Sequence, residues 1–131
     1  MIYLCSPYTH VSAAIRNDRL LRTCVATAKL IKLGHIVFSP IVHSIPLVKF
    51  GELGSLWSDW ISYNEQMMDL ASCVAVLPLK GWEISNGIKH EVNYALANNI
   101  PLVKVDLETY DMVSFDMDVV PNTIKEFWLH A

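Results

Sequence analysis

Charge is what this sequence has least of. Only 18% of its residues are Asp, Glu, Lys or Arg, 53% are apolar, and the formal net charge is −3. With no basic excess, a nucleic-acid duplex or an anionic membrane is excluded as the main partner, because phosphate surfaces attract basic ones. The apolar share excludes disorder. Long hydrophobic runs are missing too: clean ones such as Cys73 to Leu79 fall far short of the roughly 20 residues that a bilayer span needs. Cysteine is scarce. Cys5, Cys24 and Cys73 are widely spaced, form no C-x-x-C pair and sit in apolar runs, so buried core thiols in a reducing cytoplasm are expected. No basic n-region opens the chain, so no signal peptide is expected. No repeat, low-complexity tract or linker divides the 131 residues, which suffice for one domain, 1–131. Low charge with so many apolar residues also suggests burial against further copies, as a homodimer or higher homo-oligomer.

What is present alternates. Met1 to Ser6 reads as a buried strand ending in the loop Ser6-Pro7-Tyr8-Thr9-His10. From about Asp18 to Leu33, the positions Leu21, Cys24, Val25, Ala28 and Ile31 follow helical spacing, and Gly34 marks a stop. His35 to Ser39 is a second strand, ending in the loop Pro40-Ile41-Val42-His43-Ser44. A looser segment with Gly51 and Gly54 precedes a second helix, Ser58 to Ala71. Ser72 to Leu79 reads as a central strand covered on both faces. A third helix, Ser85 to Asn98, takes Ser85 as N-cap, and Ile100 to Val105 is a fourth strand. Asp106 to Asp118 is acidic, and Val119 to Leu129 fits strand or helix. Strands alternating with helices predict an α/β fold: a three-layer sandwich with a mostly parallel, flavodoxin-like or Rossmann-like central sheet. Ligands of such sheets bind beyond the C-terminal strand ends. That rule selects the loops carrying Tyr8 and His10, then His43 and Ser44, then Trp82, Ser85 and Gly87.

Three features of these helices bear on chemistry. Glu91 shares the inward face of the third helix with Ile88, Val92, Ala95 and Leu96. It is either an acid at the stripe's edge reaching for solvent or a carboxyl with a tuned pKa. Ser85, Asn86 and Gly87 open the same helix, as an ordinary N-cap or as a cradle where free N–H groups and a bare glycine admit an anion. At about 1.5 Å per residue, Gly87 lies roughly 6 Å and Ser85 roughly 9 Å from Glu91, comparable with the reach from a nucleotide's 5′-phosphate to its anomeric carbon. Asn64 falls on the apolar stripe of Trp60, Ile61, Met67, Met68 and Ala71. It serves either a local backbone group or a ligand. Trp57, Trp60 and Trp82 fit core or interface more readily than base stacking. His90-Glu91 lacks the second histidine of H-E-x-x-H, the five histidines show no ligand spacing, and no metal or cofactor motif is present.

Tyr3-Leu4-Cys5-Ser6-Pro7-Tyr8-Thr9 and Ser85-x-Gly87-x-x-x-Glu91, in this order and context, resemble the nucleoside 2-deoxyribosyltransferase-like superfamily. The resemblance runs from about residue 2 to 105 and points to a poorly characterised branch. It implies that Glu91 is the nucleophile that attacks the anomeric carbon, that Tyr3 orients it, and that Ser85 contacts a 5′-phosphate. Asn64 stands where the superfamily usually has an aspartate, a departure because an amide donates a hydrogen bond but no proton. Catalytic residues are thus expected at Glu91, Tyr3 and Asn64, and substrate contacts at Ser6, Pro7, Tyr8, His10, His43, Trp82, Ser85, Asn86 and Gly87. The implied function is an N-glycosidase of a (deoxy)nucleoside 5′-monophosphate or modified nucleotide, without a cofactor or metal. The alternatives are a nucleoside 2-deoxyribosyltransferase and a non-catalytic nucleotide-binding or sensor protein. Superfamily members are typically homo-oligomers whose sites a neighbouring subunit completes.

Overall fold

Four consecutive apolar residues form β1 (Ile2–Cys5), and all four are buried. A run without polar alternation suits a strand covered on both faces. In the computed structural model, which describes residues 1–115 with Asn122, Lys125 and Glu126, β1 lies between β2 (Val37–Phe38) and β3 (Cys73–Val76), parallel to both. β4 (Leu102–Val105) is parallel to β3, and β5 (Met112–Ser114) pairs antiparallel on its outer side. The strand order is β2-β1-β3-β4-β5. Tyr3 pairs with Phe38 on one side and Val74 on the other. β5 falls in the acidic stretch, where no strand was expected. The expectation for Val119 to Leu129 lies, Asn122, Lys125 and Glu126 apart, outside the described residues.

The alternation of side chains along β1 sorts the two cores. Ile2 and Leu4, with Ala75 and Leu77, meet Ala26 and Leu30 of α1 (Ala13–Lys32). Tyr3 and Cys5, with Val74 and Val76, meet Met68 of α3 (Trp57–Asp69) and Ile88, Val92 and Ala95 of α4 (Asn86–Ala97). Helices therefore cover both faces of a mostly parallel sheet: a three-layer, Rossmann-like α/β sandwich, as the alternation predicts.

Several local expectations fail. α1 starts at Ala13, capped by Ser12, and turns Thr23, Ala26, Thr27 and Leu30 inward, while Leu21, with 62% of its surface exposed, Cys24, Val25, Ala28 and Ile31 face out. The inward threonines look polar in sequence, but Thr23 and Thr27 bond the carbonyls of Arg19 and Thr23 at 2.8 and 2.7 Å. So satisfied, they pack against the sheet as small apolar groups. Cys24 is consequently no core thiol; Cys5 is buried and Cys73 half-buried, and all three are free. Leu96 is likewise exposed. The expected loop Pro40–Ser44 is instead the start of α2 (Pro40–Gly51), which packs against α1 and β1. Ser39 caps it by accepting from Val42 N at 3.2 Å, and Pro40 suits the first turn because no N–H is needed there.

Candidate active site

The strand order reverses direction between β1 and β3. The connection after β1 passes through α1 on one face, and that after β3 through α4 on the other, so their first loops part above Cys5 and Val76. Arg19, which drew no attention in the sequence, braces both loops. Its guanidinium donates to Tyr8 O and Thr9 O at 3.4 and 3.0 Å and to Lys80 O at 3.2 Å. Gly81 adopts φ +91°, a left-handed conformation that favours glycine, and a Cβ there would meet Arg19.

Below this opening lies Glu91. Only 7% of its surface is exposed, so it does not reach for solvent. Burial raises its pKa from 4.5 to about 8, and the Tyr3 hydroxyl facing it offsets part of the rise. No neighbouring acid contributes. Despite that proximity, Tyr3 Oη and Glu91 Oε2 find no hydrogen-bond partner of ordinary geometry among the described residues. The same burial and the nearby Glu91 push the Tyr3 hydroxyl well above its ordinary value. Cys5 sits beside them as a thiol held protonated by burial, its Sγ donating to Ala75 O at 3.4 Å, so it offers no competing nucleophile. Two unsatisfied polar groups in an apolar core are costly to stability, and such arrangements concentrate where chemistry is done.

Ser85 caps α4 by accepting from Ile88 N at 3.3 Å, as expected, and its hydroxyl proton remains free to donate. Gly87 follows inside the helix. Its φ is not positive, and the nearest atoms an added methyl would meet are Ser85 Oγ at 3.8 Å, Trp57 Nε1 at 3.8 Å and Glu91 Oε1 at 3.9 Å. Neither backbone strain nor crowding requires glycine there. The missing side chain leaves room for a methyl group in van der Waals contact with a hydroxyl, an indole N–H and a carboxyl.

The other expected residues divide. Ser6 and Pro7 are buried, with Ser6 Oγ 3.3 Å from Thr23 Oγ1. The His10 ring accepts from Ser12 N at 2.9 Å and its carbonyl from Arg16, which makes it a fastener of its own loop. Tyr8 is half-buried and Asn86 exposed. Trp82 packs edge-on to Phe115, with ring centroids 6.0 Å apart. His43, on α2, stacks on Tyr63 at 5.3 Å and lines a groove of about 460 Å³ with Leu47, Asp59 and Trp60; it reaches Tyr3 through Phe38, which lies 5.7 Å from the Tyr3 ring. Asn64 is half-buried on α3. Glu65 faces α4 with Oε1 3.3 Å from His90 Nε2. That is ion-pair distance whenever the imidazole is protonated, although the contact lacks directed hydrogen-bond geometry. Spacing alone gives no sign that Trp57 lies near Ser85 and Glu91; its Nε1 comes within 3.8 Å of the Cβ position of Gly87.

Among the described residues no group of three or more His, Cys, Asp or Glu side chains is placed to hold a metal, and no helix is long and apolar enough to cross a membrane. Residues 1–107 match a family described as a domain of unknown function (DUF1937). No curated protein matches the chain.

Proposed function

The chain belongs to the DUF1937 family, and we propose that it is an N-glycosidase of a (deoxy)nucleoside 5′-monophosphate or modified nucleotide, in a branch of the nucleoside 2-deoxyribosyltransferase-like superfamily. The observation that carries this reading is Glu91: a buried carboxyl with an unpaired oxygen, beneath the capped N-terminus of α4 and the bare Gly87. Departure of a base builds positive charge at the anomeric carbon, and an adjacent carboxylate stabilises it and can trap the sugar. The Glu91 oxygen bonds to that carbon as the C–N bond breaks, and the bonding pair leaves with the base, which takes a proton from solvent. Water then cleaves the glycosyl ester, releasing the sugar phosphate and restoring the carboxylate. Tyr3 holds the carboxyl in place, and Ser85 with the α4 N–H groups receives the phosphate. Because Glu91 keeps its proton below about pH 8, the nucleophilic form grows as pH rises.

One observation favours a second reading, a non-catalytic nucleotide-binding protein. Glycosidases usually pair the nucleophile with a proton-donating carboxyl. Here Asn64 stands at the expected position, Asp59 accepts from Leu56 N at 3.0 Å, and Asp69 accepts from Tyr94 Oη at 2.6 Å. A homo-oligomer in the cytoplasm belongs to the same proposal, supported by the outward apolar row of α1 and by Ile36 beyond it; light scattering at micromolar concentration tests it, and a clean monomer would oppose it. Function is tested by incubating the protein with nucleosides and 5′-monophosphates, with and without a second free base, and separating the products by chromatography. Free base from monophosphates supports the glycosidase, base exchange the transferase, and binding without release the binder. Ser85→Ala should remove roughly 1.5–3 kcal/mol of any preference for the monophosphate.

A further inference from the structure

Trp57 opens α3 with 47% of its surface exposed, and its indole is aimed rather than loose. The ring meets His90 edge to face, with centroids 4.7 Å apart and planes at 81°, and Glu65 Oε1 lies 3.3 Å from His90 Nε2. The indole Nε1 thereby comes within 3.8 Å of the point where a Gly87 side chain would begin, the same point that Ser85 Oγ and Glu91 Oε1 approach. Trp60 shows the contrast. Its Nε1 donates to Gly54 O at 2.8 Å, whereas the Trp57 N–H has no acceptor among the described residues. A donor without a partner, a capping hydroxyl with a free proton and a helix N-terminus thus converge on the methyl-sized room at Gly87, beside a carboxyl more than nine-tenths buried.

We propose that Trp57 is a substrate-binding residue, whose indole N–H donates to the phosphate of a 5′-monophosphate held between Ser85, the first N–H groups of α4 and the bare Gly87. The proposal rests on the nucleotide reading of the same site. An indole N–H is a donor only, so it recognises an acceptor oxygen and rejects a protonated or donor group. The first turn of α3 then acts with that of α4 as a two-sided clamp: α4 contributes backbone dipole and hydroxyl, and α3 contributes the directed N–H.

The test uses the whole protein with ¹⁵N-labelled tryptophan and glycine, titrated with inorganic phosphate and then with a deoxynucleoside 5′-monophosphate on the Glu91→Gln variant, which prevents turnover. Trp57→Phe identifies the Trp57 indole resonance while keeping a ring against His90. The expected result is a saturable shift of the Trp57 indole N–H and the Gly87 amide with one shared dissociation constant. Trp57→Phe should weaken monophosphate binding about tenfold and leave the matching nucleoside unchanged. If the Gly87 amide shifts and the Trp57 indole does not, or if Trp57→Phe binds like the parent, the Trp57 contact is overturned while the nucleotide reading stands. If neither resonance moves with phosphate or monophosphate, both fall together.

Discussion

On the α1 side of the sheet the buried hydroxyls of the described residues have partners. Thr23 and Thr27 bond carbonyls one turn back, and Ser6 Oγ lies 3.3 Å from Thr23 Oγ1. On the α4 side, Tyr3 Oη and Glu91 Oε2 face each other without a hydrogen bond of ordinary geometry to any described residue. A satisfied buried polar group is close to neutral for stability, whereas an unsatisfied one costs about 1–3 kcal/mol. The fold solves the problem on one face and leaves it open on the other, beside the switch point. The asymmetry is what the proposed function uses: the α1 face serves as scaffold, and the open groups on the α4 face are the ones the proposal assigns to a polar substrate.

The sharpest way to break this comparison is Glu91→Gln, which keeps the shape and removes the charge. Loss of a nucleophile costs on the order of 10³–10⁶-fold in turnover. Base release should fall by that much while circular dichroism remains parental, and near-parental turnover would contradict the assignment.

Stability against pH separates the two faces next. The folded-state pKa of Glu91, about 8, lies above its ordinary 4.5, so its contribution is fully present below about 4.5 and is lost as pH rises toward about 8. The slope is roughly 1.4 kcal/mol per pH unit within that window. Denaturant unfolding of the parent should show the decline; Glu91→Gln should flatten it and be the more stable protein at pH 8–9. Equal slopes in the two would mean that Glu91 is ionised and solvated in the folded protein.

Gly87→Ala addresses the methyl-sized room directly. The added methyl makes only ordinary contacts, and replacing a helical glycine gains about 0.5–1 kcal/mol. Thermal unfolding should therefore move up while monophosphate binding weakens, because the methyl occupies the point where Ser85, Trp57 and Glu91 converge. The smallest effect is expected on the scaffold face. Thr27→Val removes a hydroxyl that bonds only within its own helix, and chemical denaturation should register under about 1 kcal/mol.

The same contrast explains what the sequence made legible. The α4 pattern was plain, because Ile88, Val92 and Ala95 are apolar at helical spacing, Ser85 is a strong cap, and Glu91 breaks the stripe at one position. α1 was read with the wrong face inward, since hydroxyls that bond their own helix look hydrophilic in one dimension. α2 was hidden by Pro40, Pro46 and Gly51, all of which lie within it and resemble loop residues in isolation. Trp57 and Arg19 could not be placed from spacing alone. Their roles depend on loops and helices that meet only in three dimensions, across the joint of α3 with α4 and of the β1 and β3 loops.

The most direct measurement of Glu91's role is mass spectrometry of the Glu91 peptide from protein acid-quenched during turnover of a 5′-monophosphate, repeated from pH 6 to 9. An ester-linked sugar phosphate on Glu91, forming faster as pH approaches about 8, is the expected result. Steady base release with Glu91 unmodified at every pH, and with Glu91→Gln still active, would contradict it.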